Sequence, residues 1–266
     1  MTIRIAIAGA AGRMGQALAR SAGTAATIVG GSEREGAPQN GQDIGVLAGL
    51  PAFGAVITDS PARAAASADA WIDFTVPAAT LAALEALKTT PVKAAIIGAT
   101  GWSPREEAAI AVHARRIPIV KSGNFSLGVN MLLSLIEQAA ERLGPDWDIE
   151  IAETHHHRKI DAPSGTALMM GEAAAKGRGS PLEDLRSAPY SGVTGPRETG
   201  KIGFSVSRAG GVIGDHEAVF GSDEELLILG HRALDRALFA RGALHAARWA
   251  IGQPPGLYSM RDVLAL

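Results

Sequence analysis

An apolar run, Ile3–Ala8, passes straight into the turn Gly9-Ala10-Ala11-Gly12-Arg13-Met14-Gly15, and a helix-period stretch follows over 13–20. A strand, a glycine turn and a helix start in that order bring free backbone amides and the positive end of a helix dipole to one point. Glycine also lets a pyrophosphate approach the backbone closely. The spacing is G-x-x-G-x-x-G rather than the commoner G-x-G-x-x-G, so it is the flanking strand and helix that make the turn a dinucleotide fingerprint. Gly9, Ala10, Ala11, Gly12, Arg13 and Met14 are the candidate contacts, with Arg13 able to touch the phosphates directly.

The unit that opens this way is repeated. Short apolar runs at 26–30, 70–74, 94–97 and 117–120 alternate with helix-period segments at 78–88 and 104–115, the latter entered through Ser103-Pro104 in cap and first-turn positions. This alternation predicts the α/β class, with a Rossmann-like doubly wound parallel sheet. Glu33 stands eighteen residues past Gly15, at the end of the second predicted strand, with Arg34 after it. A carboxylate there accepts hydrogen bonds from the ribose hydroxyls of NAD, and a neighbouring guanidinium holds the 2′-phosphate of NADP, so the expected cofactor is NADH or NADPH. Two loops, Asp73-Phe74-Thr75 and Gly98-Ala99-Thr100-Gly101, fall at the carboxyl ends of predicted strands and are expected to line the nicotinamide half.

After Asn124 the pattern changes. A helix over 129–143, a strand over 148–154 and a helix over 164–176 are followed by three strand candidates, 202–208, 212–220 and 224–229, with no helix between them. That order predicts a second, α+β domain built on a mixed sheet. The dinucleotide-binding domain is placed at 1–125, completed by a helix from 235 to 251 within 235–266, and the second domain at 126–234. The Gly-, Pro- and Ser-rich stretch 177–200 reads as a long mobile loop.

Composition narrows the partners. The chain has 266 residues, enough to bury a core without staples, and no cysteine, which removes disulfides, thiolate metal sites and cysteine nucleophiles and fits the cytoplasm. A formal charge of -2 with scattered basic residues argues against nucleic acid or an anionic membrane as partner, and no apolar run reaches the roughly 20 residues of a spanning helix. Small ligands remain.

The densest chemistry is the segment Glu-Thr-His-His-His-Arg-Lys-Ile-Asp-Ala-Pro-Ser-Gly-Thr-Ala-Leu over 153–168. A metal site is one reading, but adjacent side chains in an extended segment alternate in direction, and no metal is expected. A hydrated polar loop is another, and it leaves Pro163, Ser164, Gly165 and Thr166 unexplained. Those four make sense as a capped helix start with outward amides, an anion site, beside which Lys159 and a histidine can hold a substrate carboxylate. A further histidine is then available as general acid to a hydride transfer. Chemistry alone leaves open which histidine has which task.

The segment meets in full the signature E-x-H-H-x-x-K-x-D-A-P-S-G-T-A, and the chain resembles the dihydrodipicolinate reductase family from the glycine turn through Asn124-Phe125-Ser126-Leu127-Gly128-Val129-Asn130 to Met260-Arg261-Asp262-Val263-Leu264. The resemblance implies His155 as proton donor, His156 as a substrate contact, Lys159 as a substrate contact able to supply a proton, and Gly165 with Thr166 as a carboxylate seat. It also implies cofactor contacts at Gly9 to Met14, Glu33, Arg34, Gly98, Ala99, Thr100, Ser122, Gly123, Asn124 and Phe125. By the same resemblance the substrate is a small dicarboxylate of lysine biosynthesis, and the second domain assembles a homotetramer. Lys121, and Val76 where some relatives carry a basic residue, depart from the family pattern near the cofactor. Two other readings share the glycine turn: another Rossmann reductase of amino-acid metabolism, such as an aspartate or homoserine dehydrogenase, and a dinucleotide-responsive binding protein without chemistry. The His/Lys segment argues against both.

Overall fold

A computed structural model describes residues 2–266. They form two compact units, one running up to Leu127 and completed by Ala237–Ala265, the other Gly128–Arg236. The first contains β1 (Ile3–Ala8), α1 (Arg13–Ala22), β2 (Ala26–Ser32), α2 (Ile44–Leu47), β3 (Ile57–Thr58), α3 (Pro61–Ala64), β4 (Ala70–Asp73), α4 (Pro77–Ala86), β5 (Ala94–Ile97), α5 (Pro104–Ala114) and β6 (Pro118–Lys121). Helix α6 (Leu127–Leu143) leads into the second unit, with β7 (Asp148–His155), α7 (Gly165–Gly177), α8 (Leu182–Leu185), β8 (Ile202–Arg208), β9 (Asp215–Gly221) and β10 (Leu226–Arg232). The chain then returns to the first unit as α9 (Ala237–Ala250), β11 (Gly256–Tyr258) and α10 (Met260–Leu264).

The first sheet has seven parallel strands in the order β11-β6-β5-β4-β1-β2-β3. Helices cover both faces, so β4 (AWID) and β5 (AAII) are buried at every position, β5 as an unbroken apolar run and β4 as one that ends on the buried Asp73. Alternation then sorts the residues of β1. Ile5 and Ile7 join Leu18 of α1 and Leu244 of α9 in one core, while Ala6 and Ala8 join Trp71, Leu84 and Ile110 in the other. The strand order reverses about β1, which puts the topological switch point, the ligand position of open α/β sheets, at the carboxyl ends of β1 and β4. Local signals agree: α5 starts on a Ser103–Glu106 capping box with Pro104 in its first turn.

The second sheet is mixed, in the order β10-β9-β7-β8, with β7 and β8 parallel and the other pairs antiparallel. One face is buried: Ile149, Ile151, Ala218 and Phe220 pack on Ala167, Met170 and Ala174 of α7 and on Ile136 of α6.

Several expectations are corrected. Strand β2 runs on to Ser32, because Gly31 and Ser32 gain a partner in β3, too short to read from sequence. The 78–88 helix ends at Ala86 and tightens into a 3-10 turn, Leu87–Thr89. Strand β9 starts at Asp215 rather than 212. Strand β10 starts at Leu226, after a turn in which the Ser222 hydroxyl accepts from the amides of Glu224 and Glu225. The 177–200 stretch is not structureless: it holds α8, and Arg197 is anchored to Asp148, Glu150 and the carbonyls of Ile149 and Lys201.

Candidate active site

In the first unit the predicted cofactor residues gather at the carboxyl edge of one sheet. Gly9, Ala10, Ala11, Gly12, Arg13 and Met14 follow β1, Glu33 and Arg34 follow β2, Gly98, Ala99 and Thr100 follow β5, and Ser122, Gly123, Asn124 and Phe125 follow β6. Gly9 has φ +62°, a left-handed conformation that disfavours side chains, and a Cβ there would also lie 3.0 Å from Thr75 Cγ2. A Cβ on Gly15 would fall 2.5 Å from the carbonyls of Gly9 and Ala10, so glycine is what lets α1 pack against the turn. The N-cap of α1 is Gly12, which offers no side chain to the first amides, and no acidic residue stands in the first turn. An uncapped helix start beside an exposed Arg13 fits a dinucleotide pyrophosphate.

The Glu33 carboxylate accepts a hydrogen bond from the Ala11 amide at 3.0 Å, which ties the second strand's acid to the glycine turn, and Arg34 is exposed. Asp73 is buried, and burial pushes its carboxyl above the ordinary range, while Oδ1 accepts from the amide (2.8 Å) and the hydroxyl (2.6 Å) of Thr75. It anchors its loop from inside rather than lining a ligand surface. Phe125 is also buried, its ring edge-on to Phe74 at 5.4 Å, so only its backbone can face a cofactor. Ser122 and Asn124 brace each other through the Ser122 hydroxyl. The Lys121 ammonium is engaged by Glu107 at 2.5 Å and lies 5.1 Å from the Trp102 ring centre. Val76 is exposed at the N-cap of α4.

In the second unit the reactive segment runs off the end of β7. Glu153 and His155 lie two residues apart, hence on one face, the one that α7 covers. His155 Nδ1 makes a short hydrogen bond to Glu153 Oε2. The same carboxylate accepts from both terminal nitrogens of Arg208 (3.0 and 3.2 Å) and from the Ser164 amide (3.0 Å). Burial pushes the Glu153 carboxyl up, but the bonds from Arg208, His155 and the Ser164 amide outweigh it and hold it below the usual range. Arg208 also donates to the Asp161 carbonyl, tying β8 to the loop.

Ser164 caps α7 by accepting from the Ala167 amide, and its hydroxyl lies 3.1 Å from Nε2 of His216, the register partner of Glu153 on β9. The His216 imidazole is pushed down to about 4, first by burial and then by His155. Gly165 is exposed, with open space where a Cβ would stand, and Thr166 follows in the first turn. Lys159 donates to both oxygens of Asp161 at 2.8 Å, and that bond holds the Asp161 carboxyl below its ordinary range. His156 Nε2 is 3.1 Å from an Arg236 nitrogen, and burial, then Arg158 and Arg236, push its imidazole below the ordinary value. Among the described residues no group of three or more acidic, His or Cys side chains is placed to hold a metal.

The sequence pointed to His155, His156, Lys159, Gly165 and Thr166 as candidates but gave no role to Glu153, Asp161, Arg208, His216 or Arg236, which the structure places around them. Strand alternation could have paired Glu153 with His155. Nothing in the sequence announced the other long-range partners.

A glycine turn at the switch point of a doubly wound parallel sheet, followed by a second unit on a mixed sheet, defines the class: oxidoreductases that use a nicotinamide dinucleotide. The chain belongs to the dihydrodipicolinate reductase family: the model for the N-terminal part matches residues 3–125 and that for the C-terminal part residues 128–264. It is 50% identical to the 4-hydroxy-tetrahydrodipicolinate reductase of Parvibaculum lavamentivorans over 99% of this chain and 98% of that one. With the Brucella abortus protein of the same name it shares 49% identity over 98% of each. The fold matches dipicolinate-bound dihydrodipicolinate reductase from Paenisporosarcina sp. TG-14, with TM-score 0.77, 23% identity and coverage of 97% and 98%.

Proposed function

We propose that the chain reduces 4-hydroxy-tetrahydrodipicolinate with NADH or NADPH, giving tetrahydrodipicolinate and water on the diaminopimelate route to lysine. The observation that carries this reading is the arrangement of the 153–167 segment: His155 clamped on Glu153, then an ammonium, then an exposed helix start suited to a carboxylate. Gly9 to Met14, Glu33, Arg34, Gly98 to Thr100 and Ser122 to Phe125 would hold the reduced nicotinamide dinucleotide, which would supply the hydride for ring carbon four of the dehydrated substrate. Lys159 exchanges Asp161 for one substrate carboxylate, aided by Gly165 and Thr166, and His156 contacts the substrate beside it. His155 delivers a proton to the carbon next to the reduced one as the product tautomerises, and solvent restores that proton. Hydride transfer needs reacting atoms about 3 to 3.5 Å apart.

The working form is a cytoplasmic homotetramer. Strand β10 supports the assembly: Leu226 and Ile228, two residues apart on one sheet face, are 65% and 55% exposed. Light scattering after gel filtration should give four times the chain mass, and a monomer excludes this assembly. For the activity, freshly generated substrate should drive loss of NADH or NADPH absorbance. No oxidation of either cofactor rules the reaction out.

A further inference from the structure

We infer that Glu153 and His216 are positioning residues for His155: they fix it in the tautomer with the proton on Nδ1 and hold it in one orientation, so that Nε2 is the nitrogen that gives up the proton. The inference rests on the reading of His155 as the proton donor and goes beyond it by saying what makes that imidazole competent.

Glu153 is ionised, accepts only, and lies against His155 Nδ1, so that nitrogen carries the hydrogen. Free imidazole is under no such constraint. The carboxylate cannot rotate away, because Arg208 holds both of its oxygens and the Ser164 amide holds one. The ring cannot tilt freely either, since His216 stands edge-on to it with centroids 5.0 Å apart, itself fixed by the Ser164 hydroxyl. His155 Nε2 makes no hydrogen bond among the described residues. Beside it is Gly214, where a Cβ would lie 3.0 Å from Nε2 and 3.2 Å from His216 Cε1. The absence of a side chain at 214 is what leaves the ring seated. Gly214 is not in the left-handed region, so it is space rather than backbone conformation that excludes a methyl group. The same two residues join the proton donor to the helix start proposed for the carboxylate, since Ser164 serves Glu153 with its amide and His216 with its hydroxyl.

In the proton step the Nε2–H bond of the imidazolium breaks, the substrate carbon gains the proton, and His155 is left neutral with Nδ1–H still donating to Glu153. No other reactant is needed beyond solvent to restore the proton.

The first test needs no variant. In uniformly ¹⁵N-histidine-labelled protein, with the His155 signal identified by its loss in His155→Gln, neutral His155 should show a protonated Nδ1 and a bare Nε2. The reverse pattern overturns the inference. Glu153→Gln should lose about 10- to 10²-fold in kcat with KM for substrate and for NADH within about threefold, and it should lose the tautomer signature. Gly214→Ala, which leaves the carboxylate intact, should also lower kcat with cofactor binding unchanged. If His155→Gln is inactive while Glu153→Gln keeps wild-type kcat and a mixed-tautomer spectrum, positioning is refuted and the donor role stands. If His155→Gln keeps full activity, the donor reading itself fails.

Discussion

The two units build their candidate sites by opposite means. In the first, the cradle is backbone: a glycine turn, an uncapped helix start and loop amides at the edge of a parallel sheet, with Glu33 itself resting on the Ala11 amide. In the second, the candidate site is a linked set of side chains: Glu153 binds His155, Arg208 and the Ser164 amide, and the Ser164 hydroxyl meets His216. A backbone cradle tolerates most side-chain changes outside its glycines and grades its affinity in small steps. In a linked side-chain set the effects are steeper, because removing one member leaves a buried partner without its bond.

Substitutions in the two units should therefore separate sharply. His155→Gln keeps the shape and loses the acid, and turnover should fall roughly 10² to 10⁴-fold while NADH titrations match wild type. Equal weakening of cofactor binding would erase the contrast. The next effect is one of pH. The His216 imidazole is held down to about 4 by burial, then by His155 with a smaller push from His231, against the opposing pull of Glu153 and Asp215. The unfolded chain, with an ordinary histidine near 6.5, binds more protons in that interval, so folding stability is intact above about pH 6.5 and declines toward pH 4, by at most about 3 kcal/mol. Denaturant titrations between pH 7 and 4 should show that slope and should show a shallower one in His216→Gln, since His113, His156 and His231 are also held below the ordinary value. A flat profile in the native protein would break the picture of a buried neutral imidazole.

Lys159→Ala removes a charge-assisted contact and should weaken dicarboxylate binding by about 1.5 to 3 kcal/mol, with cofactor affinity nearly untouched. Calorimetry with pyridine-2,6-dicarboxylate reads this directly, and unchanged affinity would rule out Lys159 as the carboxylate's partner. The smallest effect belongs to the backbone cradle. Glu33→Ala should weaken NADH more than NADPH and Arg34→Ala the reverse, each by about tenfold or less. Equal losses for both cofactors would show that the two residues do not divide ribose and phosphate.

The same contrast explains what could be read in advance. The first unit's sheet was visible because parallel strands buried on both faces are largely apolar runs, and its glycine turn because glycines at fixed spacing are a local signal. Strands β3 and β11 escaped because two and three residues carry no period, and β10 was misplaced by a Ser222 turn whose hydrogen bonds are side chain to backbone. In the second unit the signature supplied His155, His156 and Lys159. Arg208 and His216, however, reach Glu153 and Ser164 only through strand register, 55 and 52 residues along the chain, which no local pattern encodes. Lys159 was expected to hold a substrate carboxylate, and the structure pairs it with Asp161, two residues away and written in the same signature.

The return of the chain to its first unit has a consequence for how the molecule is made. The ribosome delivers six strands of the parallel sheet before any of the second unit, yet β6 stays an open edge until β11 arrives to pair with Pro118, Ile119 and Val120. One face of the sheet, already packed by Leu18 of α1, also stays incompletely covered until Ala240, Ala243, Leu244 and Ala247 of α9 are synthesised. The second unit, whose sheet is contiguous in sequence, can close while the first still waits. Nascent chains stopped after β6 should thus be prone to strand pairing between copies, and a shortened gene ending there should yield aggregate rather than a free dinucleotide-binding domain.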